Sequence, residues 1–359
     1  MQLGIVGLPT SGKTTLFNAL TGSDQPTHAA SSGRMEVHAA AVNVPDPRLD
    51  TLADLLGPPK RVAAQMTYVD IAGLGGSERG AELDGQLRNR LEQMDGLLHV
   101  VRAFENPTVA HPAGSVDPQR DLESLDAEFI LADLMLVENR LARVQEEIGK
   151  GKKADRVALE REQAILERLR AALEDGTLLR DVPLDESERD VLRGYGLLTL
   201  KPVMVVLNVS GETGDPSELV TYDHATSTVV AIRGRLEMEM AQLGAEDAAE
   251  FMAEYGLDEL ASQLAIRESY ALLGLQTFFT FNDDEVRAWA IPVGTTAVEA
   301  AEAIHSDIAR GFIRAEVALY DAVVEASGWS ALKAAGKLRV EGKDYVMQDG
   351  DVMLVRFNV

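Results

Sequence analysis

The sequence contains no cysteine, which excludes disulfide bonds and zinc sites built on cysteine ligands. Long apolar runs are absent too. The stretch Val203–Leu207 is among the longest, and it is far short of the about 20 residues of a membrane-spanning helix. The first residues run directly into an apolar strand, without the basic and apolar segments of a secretion signal. These absences predict a cytoplasmic protein that has no membrane partner.

Positive charge is scarce. The 359 residues include 34 Lys and Arg against 58 Asp and Glu, so the formal net charge is −24. Such a balance argues against broad electrostatic binding to nucleic acid, and no DNA specificity is expected. An RNA contact would have to use a local basic patch. Hydrophobic residues make up 46% of the chain, which is enough for the cores of two or three globular domains.

The most informative segment lies at the beginning of the chain. An apolar strand, Met1–Val6, is followed by the pattern Gly-x4-Gly-Lys-Thr at 7–14 and then by a helical run. This setting predicts a phosphate-binding loop rather than an ordinary glycine-rich turn, because backbone N–H groups and a helix N-terminus converge on one anion. Lys13 is expected to reach the β- and γ-phosphates and Thr14 a Mg²⁺ ion. The predicted nucleotide contacts in this segment are Gly7, Pro9, Thr10, Ser11, Gly12, Lys13, Thr14 and Thr15.

A second motif follows another apolar strand. Met66–Val69 leads into Asp70, and Gly73 stands three residues later. NTPase switch proteins place an acid at the end of such a strand to hold Mg²⁺ and a glycine amide where it senses the γ-phosphate. We therefore predict Asp70 as a metal residue and Gly73 as a nucleotide contact, and the glycine-rich segment 73–85 as a switch.

The pattern of elements along the chain predicts an α/β fold. Strand-like runs at 37–44, 65–70, 97–101, 202–208 and 228–232 alternate with helical ones, which is typical of βαβ units and a mostly parallel sheet. Two amphipathic stripes between about 120 and 175 flank a glycine-broken turn and predict an antiparallel helical hairpin inserted into this domain. A small α+β domain with strands at 286–291 and 352–357 follows, and Thr296 is expected to cap a helix over 298–305.

Several motifs, taken together and in order, resemble one family. They are Gly7–Pro9, Val44–Leu49, Val69–Leu74, Gly114–Pro118, Leu273–Thr280, Val286–Trp289, Gly311–Ala315 and Glu341–Tyr345. The chain is similar over nearly its whole length to the YchF subfamily of Obg-like P-loop NTPases. The resemblance implies a P-loop NTPase (G) domain at 1–119 and 200–275, a helical hairpin at 120–199, and a β-grasp TGS domain at 276–359. It also implies a preference for ATP or mixed use of ATP and GTP, and association with the ribosome or the translation machinery.

The identity of the base can be examined in the segment after the strand 202–208. Ordinary GTPases carry Asn-Lys-x-Asp there, whereas this chain has Asn208-Val209-Ser210-Gly211-Glu212. Losing carboxylate bonds worth about 1.5–3 kcal/mol each would erase most guanine preference, so we predict ATP over GTP, with Asn208 and Val209 near the base. Glu212 could still reach the base. The alternative interpretation, a glycosylation sequon, does not suit a chain without a secretion signal.

Hydrolysis depends on a different residue from that of Ras. Leu74 follows the switch glycine where Ras-like enzymes have a water-orienting glutamine. The resemblance offers His111 as the catalytic residue, beside Lys13, although a lone loop histidine is often only solvated. Turnover is expected to be slow, near the about 10⁻⁴–10⁻³ s⁻¹ of unassisted Ras.

The chain departs from the family at the first switch and in the phosphate loop. Arg34–His38 stands where relatives have a Thr-Ile-Glu-Pro-Asn stretch, so the threonine is missing, and Thr27, Ser31 or Ser32 could replace it. Thr10 and Ser11 stand where relatives have Asn and Val, which puts potassium-assisted hydrolysis in doubt.

Two basic clusters could contact RNA phosphates, or could be ordinary solvated faces. The first consists of Lys333, Lys337, Arg339 and Lys343, and the second of Lys150, Lys152 and Lys153. Neither cluster is interleaved with aromatic residues that would stack bases.

Three functions remain open from the sequence. The first is a slow ATP-driven switch on the ribosome, and the second is a nucleotide-binding adaptor with little hydrolysis, which the altered first switch favours. The third, a small-molecule phosphotransferase, would need an acceptor pocket and an arginine-rich lid that the sequence does not reveal.

Overall fold

The computed structural model describes residues 1–27, 36–72, 85–150, 156–211, 215–254 and 259–358. The chain divides into two compact units. One unit contains Met1–Ala40 and Thr67–Ser262, and the other contains Ala41–Met66 and Gln263–Val359. The second unit therefore combines an early segment of the chain with the C-terminal region, and the helical insertion groups with the N-terminal sheet. The three domain boundaries expected from the sequence stay a prediction.

The described residues form strands and helices in alternation. The strands are β1 Gln2–Val6, β2 Glu36–Asn43, β3 Lys60–Val62, β4 Gln65–Ala72, β5 Gly96–Arg102, β6 Val203–Asn208, β7 Ser227–Ile232, β8 Leu275–Phe281, β9 Glu285–Pro292, β10 Phe312–Leu319, β11 Arg339–Glu341 and β12 Asp351–Phe357. The α-helices are α1 Lys13–Thr21, α2 Pro47–Leu56, α3 Gly85–Glu92, α4 Pro118–Gly149, α5 Arg156–Glu174, α6 Glu186–Leu192, α7 Gly234–Ala241, α8 Ala245–Glu254, α9 Ala261–Leu272, α10 Ala297–Ile304, α11 Ser306–Arg310, α12 Tyr320–Glu325 and α13 Trp329–Ala334. Short 3₁₀ turns occur at Leu179–Asp181 and Pro216–Glu218.

The first sheet has the strand order β2-β4-β1-β5-β6-β7. β1 pairs in parallel with β4 and β5, and β6 pairs in parallel with β5 and β7. Every residue of β5 and β6 is buried, as expected for central strands of a parallel sheet that is covered on both faces. The expected mostly parallel sheet is confirmed. Because parallel strands end at one edge, the residues that close β1, β4, β5 and β6 are neighbours there.

The hairpin formed by α4 and α5 has its own apolar core. Asp117 caps α4 by accepting a hydrogen bond from the Arg120 N–H, and Pro118 occupies the first helical position, where its missing donor is harmless. Val137, Leu141 and Val144 of α4 belong to one buried cluster with residues of α5. The α5 members are Ile165, Leu166, Leu169 and Leu173. The leucine stripes of the sequence therefore mark the interface between the two helices.

The second sheet is mixed, with the order β11-β10-β12-β8-β9-β3. β10 is antiparallel to β11 and β12, β8 is antiparallel to β9, and β12 is parallel to β8. Helix α10 packs Ala297, Ala300 and Ala301 into the same buried cluster as Phe278 and Phe312. Thr296 caps α10 in a reciprocal capping box with Glu299, as the sequence predicts. The edge strand β3 pairs in parallel with β9 and comes from the early segment of the chain.

A helix that spans a membrane needs about 20 mainly apolar residues. Among the described residues, no helix combines the length and the apolar composition that crossing a bilayer requires.

Candidate functional site

The loop between β1 and α1 has the backbone that its sequence predicts. Gly7 and Gly12 adopt φ values of 145° and 95°, in the region that favours glycine. A Cβ atom at Gly7 would lie 2.2 Å from the Val100 carbonyl oxygen, and one at Gly12 would lie 2.2 Å from Asn208 Nδ2. Both glycines are therefore required by close neighbours as well as by conformation. The loop ends where α1 begins at Lys13, so the N-terminal N–H groups of the helix face its concavity.

Lys13 is folded back onto the loop. Its Nζ donates to the carbonyl oxygens of Gly7 at 2.8 Å and Leu8 at 2.9 Å. Loss of hydration lowers the pKa of Lys13 to about 8, against the opposing influence of Asp70. The ammonium thus sits at the predicted anion site with neutral acceptors as its only hydrogen-bond partners among the described residues, and a phosphate oxygen would be a stronger partner.

Thr14 and Asp70 meet beside Lys13. β1 and β4 pair with Ile5 opposite Asp70, which brings the carboxylate to the beginning of α1. Thr14 Oγ1 donates to Asp70 Oδ2 at 2.8 Å. Asp70 is 1% exposed, and burial raises the pKa of its carboxyl although Thr14, Lys13 and His38 act in the opposite direction. Its Oδ1 is buried and has no hydrogen-bond partner within the described ranges.

This donor set fits a Mg²⁺ ion. A hydroxyl and a carboxylate with one unsatisfied oxygen are hard oxygen ligands, and Mg²⁺ commonly binds through one or two such groups together with water and phosphate oxygens. No cluster of three or more His, Cys, Asp or Glu side chains suited to a metal occurs in the part of the chain that is described. The residues thus suit a cation that a nucleotide brings with it rather than one held by a protein cage.

Asn208 ties two loops together. Its Nδ2 donates to the Ser11 carbonyl oxygen at 3.0 Å, and its Oδ1 accepts from the Gly234 N–H at 3.2 Å. The side chain is buried, at the end of β6. The neighbouring Val209 N–H donates to Ile232 O at 3.0 Å. Sequence reasoning predicted a base contact for Asn208 and Val209 and missed this bridging role, for which a single sequence offers no signal.

His111 is buried rather than solvated. Its side chain is 4% exposed, and Nε2 lies 2.8 Å from Asp121 Oδ2 near the beginning of α4. The Ala113 N–H donates to Nδ1 at 3.1 Å, so Nδ1 acts as an acceptor there. His111 and Asp121 line a small cavity together with Leu8, Pro9 and Ser11 of the phosphate loop. The structure thus brings the predicted catalytic histidine to the phosphate loop.

The remaining loop residues have different surroundings. Thr10 is exposed and has a left-handed φ of 64°, and Pro9 and Thr15 are half-buried. Ser11 is 2% exposed, and its Oγ has no hydrogen-bond partner among the described residues. Arg102 at the end of β5 donates to Thr10 Oγ1, a contact that sequence reasoning did not find.

Some predicted residues lie outside the described ranges. These are Gly73, the segment 73–84 of the switch, Arg34, Met35, Ser31, Ser32, Glu212, Lys152 and Lys153. Thr27 is described and is exposed.

Two of the four members of the first basic cluster, Lys333 and Arg339, are paired with nearby acids. Glu316 pairs with Lys333 at 3.5 Å and with Arg356 at 3.3 Å, and Arg339 pairs with Asp351 at 3.1 Å. Lys150 of the second cluster pairs with Glu146 at 2.6 Å. Lys337 and Lys343 have no carboxylate within 4.0 Å among the described residues.

Comparison with known proteins gives matches over the whole chain. A family model described as 50S ribosome-binding GTPase matches residues 2–140, and the C-terminal model of YchF GTPases, described as a protein of unknown function, matches residues 275–358. The chain is 40% identical to a protein of Haemophilus ducreyi named ribosome-binding ATPase YchF, with 100% of this chain and 99% of that protein covered. The protein of the same name in Bacillus subtilis is 40% identical, with 100% of both chains covered.

Two further matches extend to eukaryotes. The chain is 35% identical to rice Obg-like ATPase 1, with 100% of this chain and 92% of that protein covered. The solved structure of the Schizosaccharomyces pombe YchF GTPase superposes with a TM-score of 0.86 at 31% identity, covering 99% of this chain and 97% of that one.

Proposed function

This chain belongs to the YchF family, and from that premise we propose that it is a slow P-loop NTPase whose bound nucleotide controls its association with the ribosome. It binds ATP in preference to GTP, with Mg²⁺, and hydrolyses the bond between the β- and γ-phosphates in the cytoplasm. The observation that carries the proposal is that Lys13, Thr14 and Asp70 lie together beside one glycine loop, and that Oδ1 of Asp70 has no hydrogen-bond partner among the described residues.

The side chains proposed to bind phosphate and Mg²⁺ already lie close together in the nucleotide-free protein. Lys13 exchanges the carbonyl oxygens of Gly7 and Leu8 for phosphate oxygens, and the anionic partner favours its charged form. Asp70 and Thr14 would hold Mg²⁺, which neutralises phosphate charge when bound. Backbone N–H groups of the loop, from Gly7 to Thr15, and a glycine amide at Gly73 complete the proposed contacts.

Selection of the base follows from what stands after β6. Asn208 holds the phosphate loop against the beginning of α7, so it shapes the site for either nucleotide. Guanine selectivity needs a carboxylate three residues later, where this chain has Gly211. Without that pair of charge-assisted bonds, ATP is the preferred ligand.

Hydrolysis is slow because His111 is engaged elsewhere. Nδ1 accepts from the Ala113 N–H and Nε2 lies 2.8 Å from Asp121 Oδ2, so protein groups occupy the positions beside both ring nitrogens where a water would have to bind. The ring must leave Asp121 before it can act, and a partner that favours this movement would accelerate turnover. The same contacts, together with the missing first-switch threonine, favour the second candidate function, an adaptor that binds nucleotide with little hydrolysis.

Binding titrations of ATP and GTP with Mg²⁺ test the proposal. ATP should bind more tightly than GTP, and Gly211→Asp should shift the ratio towards GTP by about tenfold or more. A Cβ at Gly211 would meet no atom of the described residues within 4 Å, so the substitution adds the carboxylate without a clash there. Asn208→Ala is the matched control and should weaken both nucleotides alike. A wild-type protein that prefers GTP tenfold, or that turns over ATP alone faster than about 1 s⁻¹, would contradict the proposal.

A further inference from the structure

Arg102 joins two loops at the edge of the first sheet. It is the last residue of β5 and is 2% exposed. Its Nη1 donates to Thr10 Oγ1 at 3.1 Å, its Nη2 to the Val109 carbonyl oxygen at 3.0 Å, and its Nε to the Phe104 carbonyl oxygen at 3.1 Å. The guanidinium also lies 4.8 Å from the centre of the Phe104 ring. One planar group thus contacts the phosphate loop on one side and the loop after β5 on the other.

The charge of Arg102 is surrounded by neutral acceptors. Among the described residues, no carboxylate oxygen lies within 4.0 Å of it. Buried charges are normally paired, because removing a cation from water costs free energy that neutral acceptors replace only in part. A buried cation of this kind next to the phosphate loop raises the positive potential where anionic phosphates bind.

Thr10 needs the support that Arg102 gives. Its φ of 64° is left-handed, and a β-branched residue rarely adopts this conformation. The side chain is exposed, so neighbours do not enclose it. The hydrogen bond from Arg102 Nη1 fixes the hydroxyl and, with it, the tip of the loop.

Arg102 also contacts the loop that carries His111. Val109, whose carbonyl oxygen accepts from Nη2, precedes the histidine by two residues. Arg102 and His111 line the same cavity as Leu8 and Ser11.

We propose that Arg102 is a positioning residue that couples the phosphate loop, through Thr10, to the loop that carries His111. The inference rests on the proposed NTPase function. An arginine is required because its rigid fork presents donors to three acceptors in one plane, whereas a lysine ammonium on a flexible stem cannot hold the same three.

Amide hydrogen exchange of the nucleotide-free protein tests the coupling without any activity. Arg102→Lys should speed exchange in both 7–12 and 104–112, and Thr10→Ala, which removes one end of the link, should speed exchange in 7–12 and to a smaller extent in 104–112. The matched control is Arg180→Lys, since Arg180 is also buried and donates to the Thr199 carbonyl oxygen and Tyr222 Oη. Arg180→Lys should speed amide exchange only in the segments around Thr199 and Tyr222. Exchange in 104–112 that is equal in Arg102→Lys and Arg180→Lys would overturn the proposal.

Steady-state kinetics with Mg·ATP test whether the coupling between the two loops affects hydrolysis. Arg102→Lys and Arg102→Gln should both lower kcat about tenfold or more, because Lys keeps the charge and loses the fork. Thr10→Ser keeps the hydroxyl that accepts from Arg102 and should lower kcat less than Thr10→Ala does. The double variant Arg102→Lys with Thr10→Ala should be no worse than Arg102→Lys alone within about twofold, since both changes break one link.

The positioning role of Arg102 and the NTPase function can be refuted independently of each other. Normal kcat and KM in Arg102→Lys would overturn the positioning role while leaving the NTPase function intact. A wild-type protein that neither binds nor hydrolyses ATP would overturn the function, and the exchange data alone would then decide the coupling. If Arg102 variants do not fold, the exposed Thr10 pair still decides it, because equal exchange in Thr10→Ala and Thr10→Ser would contradict the link.

Discussion

At the scale of single residues, the phosphate site depends on positions that only glycine can occupy. Gly12 combines a left-handed backbone with a close approach to Asn208, the residue that bridges the Ser11 carbonyl oxygen and the Gly234 N–H. A side chain at position 12 would therefore disturb the loop and its support together.

Gly12→Ala should weaken ATP binding at least about tenfold and lower the free energy of unfolding by about 1–3 kcal/mol. The cause is the Cβ atom placed 2.2 Å from Asn208 Nδ2, added to the strain of φ at 95°. Calorimetric ATP titration and urea unfolding measure the two effects. Gly57→Ala is the control, because Gly57 has φ of 80° but a Cβ atom there would meet no atom of the described residues within 4 Å. Equal losses of ATP affinity in both variants would refute the steric argument.

Lys13→Met should separate binding from stability. The variant loses the ammonium that meets the phosphates, so ATP affinity should fall about a hundredfold or more. The free protein should be as stable as wild type or more stable, because folding lowers the pKa of Lys13 to about 8 and thus disfavours its charged form. Urea unfolding without nucleotide gives the sign. A loss of several kcal/mol in the nucleotide-free protein would show that Lys13 stabilises the fold.

Much of the site could be predicted from residue types and spacing. The glycine loop, Lys13, Thr14 and Asp70 belong to a local pattern whose chemistry requires those residues, and the structure brings them together. The contacts of Arg102 with Thr10 and of Asn208 with Ser11 could not be predicted, because the two residues of each pair are far apart in the sequence and are brought together by the sheet. Asn208 and Ser11, for example, meet only because β6 and β1 end at the same edge.

At the scale of elements, the helical hairpin is anchored by a buried carboxylate. Asp133 in the middle of α4 is 0% exposed, and its oxygens accept from the N–H groups of Leu198 at 2.9 Å and Thr199 at 2.7 Å and from the Thr199 hydroxyl. Burial raises the pKa of Asp133, against the effect of these hydrogen bonds. The anchor fixes α4 to the segment that leads into β6.

Asp133→Ala should lower the free energy of unfolding by about 2–5 kcal/mol, because two buried N–H groups and a hydroxyl lose their acceptor. Urea unfolding monitored by circular dichroism measures the loss. Asp185→Ala, which removes the exposed cap of α6, is the comparison and should cost about 0.5–2 kcal/mol. A cost at Asp133 no larger than at Asp185 would contradict the role of the anchor.

Long periodic elements were easier to predict than short ones. The leucine stripes predicted α4 and α5, and mainly apolar runs predicted β5 and β6. The pattern missed β3, whose three residues Lys60–Val62 carry no alternation and gain their partner from β9 more than 200 residues later. Such pairing is a property of the folded sheet and leaves no local trace.

At the scale of the whole molecule, charge limits how the chain can meet RNA. The net charge is −24, and Lys333 and Arg339 of the first basic cluster are paired with acids. Lys337 and Lys343 are the members of the cluster that have no carboxylate within 4.0 Å among the described residues. A ribosome contact through this surface would therefore involve few phosphates, and its salt dependence would be shallow.

If bound nucleotide controls the association with the ribosome, the nucleotide state should determine how much protein cosediments with ribosomes. Ribosomes would be pelleted with the intact protein and Mg²⁺ under three conditions: with a non-hydrolysable ATP analogue, with ADP, and without nucleotide. Lys13→Met, which is expected to bind nucleotide only weakly, is the control. We expect the pelleted fraction of wild type to differ between the ATP analogue and ADP by about fivefold or more, and that of Lys13→Met to stay constant. A wild-type fraction that is the same in all three conditions would show that bound nucleotide does not control ribosome association.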